Sequence, residues 1–118
     1  MEDRNELNKL ALEFQQSQKV LTALGDQMRQ HIILILMEQG DCNGMRVNDI
    51  VAKTSLSCPA VSHHLQIMKD AGILKMRKEG TKNFYYFDVD EEIFDQLENL
   101  LHHTKSFMCT LPDRSGEE

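Results

Sequence analysis

Ser62, His63 and Gln66 fall close together on one face of a helical repeat, and all three carry short hydrogen-bonding side chains. A serine hydroxyl pairs with either base type, and His or Gln donates to purine acceptors, so the chemistry on offer is the reading of base edges. Pro59 lies on the same side one turn earlier. The opposite side carries Val61, Leu65 and Met68 at i, i+4 and i+7, the spacing of a buried stripe. His64 lies about 60° from that stripe and reads as a packed histidine. Ser57 is placed to cap the helix, with a further contact to phosphate open to it, and Pro59 sits in the first turn, where a missing N–H costs nothing. Gly72 is a natural C′ residue that ends the helix.

The elements around this helix must hold it out from the core. Upstream, Val47, Ile50 and Val51 turn inward from a short helix over 47–54, and the pair predicts a helix-turn-helix over 46–71. Downstream, the strand-like runs 73–78 and 83–88 flank Glu79-Gly80-Thr81-Lys82, predicting a hairpin with basic residues at its tip. The expected fold class is mainly α with a small β-hairpin, a winged helix-turn-helix. Lys75, Arg77, Lys78 and Lys82 on the hairpin are candidates for phosphate or minor-groove contact, which positions a protein without specifying sequence. Val20 to Leu24 predicts a short helix and Met28 to Gln39 a longer apolar spine, followed by a loop with Gly40 and Gly44. Leu7, Leu10, Ala11 and Phe14 follow helical spacing near the N-terminus, as do Ile93, Leu97, Leu100 and Phe107 near the other end.

The net charge of −6 is unevenly spread over the 118 residues. Residues 53–83 carry +4, whereas 88–118 carry −7. Acidic flanks weaken non-specific attraction to phosphate and leave a local cationic footprint intact. The length fits one domain, spanning 1–118. No apolar run approaches the ~18 residues of a membrane span, and the polar, acidic start does not read as a signal peptide, so a cytoplasmic location without membrane association is expected. Three cysteines make no disulfide framework, and reduced thiols are the default. No His-Glu-x-x-His run, Gly-x-Ser-x-Gly elbow or phosphate loop is present, and an enzyme is not expected. A winged helix recruited as a protein-interaction module is the alternative that the acidic balance supports.

From Leu24-Gly25-Asp26-Gln27-Met28-Arg29 through Ser57 to Leu65, Ala71-Gly72-Ile73-Leu74 and the wing with Gly80 and Tyr85-Tyr86, the chain resembles the ArsR/SmtB family of bacterial transcriptional repressors. The resemblance covers roughly residues 20 to 105. It implies a homodimer that binds a palindromic operator on double-stranded DNA and leaves it when an inducer arrives. It favours dimerisation helices at 1–17 and 90–107, with 108–118 a flexible tail. Ser62 and His63 occupy positions that reach base edges in the family, whereas Cys58 stands where many relatives carry glutamine.

The family's thiolate metal site is absent, because Arg46 to Ile50 contains no cysteine. Its other metal site would fall on Asp90, Glu92, His103 and Ser106, shared between two subunits. The first three suit zinc, nickel or cobalt as an inducer. The plainer reading of the same residues is that Asp90 caps the last helix, Glu92 favours its dipole and the histidines are exposed. Some relatives sense oxidants with paired cysteines, for which Cys42 and Cys109 are the imperfect counterparts. Cys58, at a helix start where the dipole lowers a thiol pKa, is a third thiol to consider.

Overall fold

The computed structural model describes residues 2–111; the segment 112–118, most of the expected tail, lies outside the described residues. Among the described residues, six helices and one hairpin follow in the order α1 (Glu2–Gln16), α2 (Gln18–Leu24), α3 (Gln27–Gln39), α4 (Val47–Val51), α5 (Cys58–Asp70), β1 (Leu74–Glu79), β2 (Lys82–Phe87) and α6 (Glu91–Cys109). This is a winged helix-turn-helix, with α4 and α5 as the helix pair and β1–β2 as the wing.

Local chemistry sets the boundaries. Asp26 caps α3 by accepting from the Arg29 N–H at 3.0 Å. Ser57 caps α5 by accepting from Ala60 N–H at 3.3 Å, with Pro59 in the first turn as expected. Helix α4 stops at Val51, short of the expected 54, because Thr54 Oγ1 donates back to the Val51 carbonyl and accepts from Leu56 N–H, a local bond that competes with the helical ladder. Both strands differ by one residue from the sequence expectation, β1 starting later and β2 earlier, because the turn tightens to Gly80-Thr81 and Glu79 pairs Lys82. Helix α6 runs two residues past the expected 107, so Met108 and Cys109 belong to it and not to a tail.

The main core gathers around α3. Ile32, Ile33, Ile35 and Leu36 meet Val20 and Ala23 of α2, Ile50 of α4, Val61, Leu65 and Met68 of α5, and Ile73 and Leu74 of the wing entry. Each large side chain buried here contributes about 1.5–3 kcal/mol in area removed from water. The wing is joined to this body by an isolated antiparallel bridge, in which Met45 and Tyr85 exchange N–H···O bonds of 2.8 Å in both directions. Gly44, just before it, holds φ +81° where a Cβ would come within 2.9 Å of the Tyr85 carbonyl oxygen, so no larger residue fits.

Helices α1 and α6 pack on each other through Leu10 and Leu100, outside the main cluster. They draw the molecule out to 57 × 30 × 23 Å, with a radius of gyration of 18.4 Å against about 13.5 Å for a compact domain of this length. Leu7, Leu12, Phe14, Leu101 and Met108 on these two helices remain substantially exposed. Among the described residues, no helix is long and apolar enough to cross a membrane.

Candidate nucleic-acid interface

Helix α5 presents two chemically opposite sides. Val61, Leu65 and Met68 are fully buried, whereas Pro59, Ser62, His63 and Gln66 are exposed together on the outer side. The sequence placed these residues on that face, and the fold leaves it uncovered within the protomer. Gln66 Nε2 donates to Asp70 Oδ1 at 2.9 Å, which holds the amide along the helix until a stronger partner displaces it. Cys58 is exposed at the first turn, and its thiol donates to Asn48 Oδ1 at 3.3 Å, linking the two helices of the motif.

The buried stripe seats α5 against the body, and Arg29, a residue with no assigned role in the sequence reading, adds a polar tie beside it. Arg29 is only 8% exposed. Its Nε donates to the Ala23 carbonyl at 2.9 Å and its Nη2 to the Thr22 carbonyl at 3.0 Å, both in the last turn of α2. The Thr22 carbonyl also accepts from the Gly25 N–H at 3.3 Å, and both carbonyls belong to the negative end of the helix dipole, so a buried guanidinium there is compensated. The third contact crosses to α5, where Nη1 lies 3.1 Å from His64 Nδ1. Because arginine only donates, Nδ1 must offer its lone pair, and His64 is neutral with its proton on Nε2. His64 is half-buried, as its position near the stripe suggested. Desolvation, then the Arg29 charge and His63, hold its pKa below the ordinary 6.5, against an opposing pull from Asp26. The carboxyl of Asp26 is in turn lowered from 3.8, first by its hydrogen bond from the Arg29 backbone. A signal for Arg29 was present, since it leads Ile32, Ile33 and Leu36 at i+3, i+4 and i+7 and so lies on the buried stripe of α3.

The wing divides its cations into two groups. Lys75 is engaged with Asp88, its Nζ 3.2 Å from the carboxylate and 3.1 Å from the backbone carbonyl. Arg77 pairs with Glu79 at 2.8 Å, donates to the carbonyls of Cys42 and Asn43, and stacks over Phe84 at 5.1 Å. It therefore ties the 40–44 loop to the wing, a role the sequence did not reveal because its partners are backbone atoms about 35 positions away. Lys78 and Lys82 are exposed near the tip and make no ion pair among the described residues. They are the wing cations best placed for phosphate.

The candidate ligands of α6 do not form a site within one protomer. Asp90 caps the helix, its carboxylate accepting from Glu92 N–H at 3.1 Å. His103 is thirteen residues further on, about 20 Å along the axis, and its Nδ1 lies 2.7 Å from Glu13 Oε2 on α1. No group of three or more His, Cys, Asp or Glu able to hold a metal occurs among the described residues. Cys42 and Cys109 are both exposed and unbridged.

Comparison with known proteins bears on the same segment. The family described as "Bacterial regulatory protein, arsR family" matches residues 26–75. The chain is 40% identical over 80 residues to the uncharacterized HTH-type transcriptional regulator MJ1325 of Methanocaldococcus jannaschii, covering 68% of this chain and 85% of that protein. It is 34% identical over 87 residues to a cadmium resistance transcriptional regulatory protein CadC homolog of Staphylococcus aureus, covering 74% and 69% respectively. Among solved structures, the homodimeric winged helix-turn-helix DNA-binding domain Mb0332 of Mycobacterium bovis is similar with a TM-score of 0.58 at 27% identity, over 81% of this chain and 83% of that one.

Proposed function

This chain belongs to the arsR family of bacterial regulatory proteins, DNA-binding transcriptional regulators and not enzymes, and on that premise we propose that it is a homodimeric repressor of a palindromic operator, released by an inducer. The observation that carries this reading is the uncovered polar side of α5, where Pro59, Ser62, His63 and Gln66 stand out from a fully buried stripe. In the proposed complex α5 enters the major groove, Ser62, His63 and Gln66 meet base edges, and Ser57 touches phosphate at the helix start. Lys78 and Lys82 grip the backbone beside it. Lys75 and Arg77 contribute charge and hold the wing, since their side chains already have partners.

Dimerisation is supported by the exposed apolar side chains of α1 and α6 and by the drawn-out shape of the protomer. In this reading the helices over 1–17 and 90–107 pair across a two-fold axis, and the whole chain acts as one domain. Two copies related in this way would place their reading helices one DNA turn apart, ~34–36 Å. As inducers, zinc, nickel or cobalt would need Asp90 and Glu92 of one copy to meet His103 of another, because one protomer does not bring them together. Thiol chemistry at Cys42 and Cys109 is the second inducer class, favoured by the exposure of both.

The test is selection of duplexes from a random pool by the intact protein. Two symmetric half-sites spaced by one helical turn are expected. Enrichment of a single asymmetric half-site would overturn the palindromic dimer, and no enrichment would favour a protein-interaction module.

A further inference from the structure

Arg29 occupies an unusual place, a cation 8% exposed whose guanidinium makes no ion pair among the described residues and spends three donors on two helices. Two of those donors close the end of α2, and the third reaches the reading helix at His64. His64 is the immediate neighbour of His63, and their rings lie 6.2 Å apart. Whatever fixes the azimuth of α5 at His64 also aims His63 and Ser62.

We propose that Arg29 and His64 are positioning residues for the DNA-reading helix, and that protonation of His64 releases the latch and costs the protein its sequence discrimination. The chemistry is a single proton transfer from solvent to the Nδ1 lone pair. It converts the acceptor facing Arg29 Nη1 into a donor and sets imidazolium against guanidinium. The charged groups that bear on His64 are Arg29 and Asp26 from the start of α3 and His63 on its own helix; α2 offers Arg29 only the carbonyls of Thr22 and Ala23. Asp26 favours the imidazolium, but its carboxylate is already committed to the Arg29 backbone N–H. Burial and the guanidinium outweigh it, so the ring is neutral near pH 7 and charges only in acid.

The inference rests on the reading of α5 as the base-reading element. It predicts loss of discrimination and not of DNA binding as such, because added positive charge on this face raises attraction to every duplex. The experiment measures affinity of the intact protein for a duplex it selected from a random pool and for a scrambled duplex of equal length. Both are measured at about pH 7.5 and about pH 5.5, which bracket the ordinary histidine range. In the unsubstituted protein the ratio of the two affinities should fall about tenfold in acid, the loss equivalent to one misplaced base contact. In His64→Gln, whose amide oxygen accepts from Arg29 and does not titrate, it should fall less than about twofold.

Equal acid losses in both, after discrimination at about pH 7.5, would overturn the latch alone. Absence of discrimination at that pH would overturn the reading of α5 beneath it, and the inference with it. Ring nitrogen NMR of the unsubstituted protein without DNA gives an answer that needs no variant. Nε2–H with an unprotonated Nδ1 is expected at neutral pH, and an Nδ1–H tautomer would overturn the latch.

Discussion

Gly72 joins the end of α5 to the wing and to α6, and replacing it with alanine tests that junction quantitatively. Its φ is +82°, a left-handed value that costs an L-residue about 1–2 kcal/mol. A Cβ there would lie 2.6 Å from Ile93 Cδ1 and 3.2 Å from Asp90 Cβ. The isoleucine tip can turn aside at the cost of an off-rotamer side chain, about 0.5–1.5 kcal/mol. Asp90 has less freedom, because its N–H donates to the Gly72 carbonyl at 2.7 Å and its carboxylate caps α6. Gly72→Ala should therefore destabilise the fold by about 2–4 kcal/mol in urea unfolding, with the m-value unchanged. Ile93→Ala alone should also destabilise, but in the double variant the clash is gone, and the cycle should show a favourable coupling of about 1 kcal/mol. A loss below about 0.5 kcal/mol, or additivity within error, would refute the claim that the close approach of α6 to this glycine fixes the junction.

Four further outcomes follow from the geometry. Alanine at His63 should cost about 1–3 kcal/mol on the selected duplex and little on scrambled DNA, whereas alanine at Lys82 should weaken both alike in a binding titration. Affinity should fall steeply with salt, as several phosphates are neutralised; a flat log–log plot in the same titration would contradict phosphate contact. Because the folded pKa of His64 lies below its unfolded value, the protein binds fewer protons folded than unfolded just below pH 6.5, and stability present above that pH should be lost as it falls through the folded pKa, seen as a declining melting temperature. Phe14→Glu combined with Leu101→Glu should convert a dimer to a folded monomer in sedimentation equilibrium, since both side chains are exposed in the protomer.

The helical stripes and the turn chemistry carried most of the architecture. Val61, Leu65 and Met68 announced which side of α5 is buried, and Ser57 and Pro59 announced where it starts. The exposed polar side follows by subtraction, so its position too was legible. Element ends were less so, as at Thr54, where a side-chain hydroxyl captured the backbone and closed α4 early. Pairings across long sequence separations were not legible at all. Nothing local to Arg77 indicates that its guanidinium is spent on the 40–44 carbonyls, and nothing local to His103 points to Glu13. Arg29 stands between these cases. Its place on the buried stripe was readable, but its partners on α2 and α5 are set by how three helices meet.

Amide chemical-shift mapping of the protein with its selected duplex addresses the reading face most directly. The largest changes should fall on Ser62, His63 and Gln66, with smaller ones at Ser57, Lys78 and Lys82. Changes confined to α1 and α6, with 57–66 undisturbed, would contradict the assignment of α5 as the element that reads DNA.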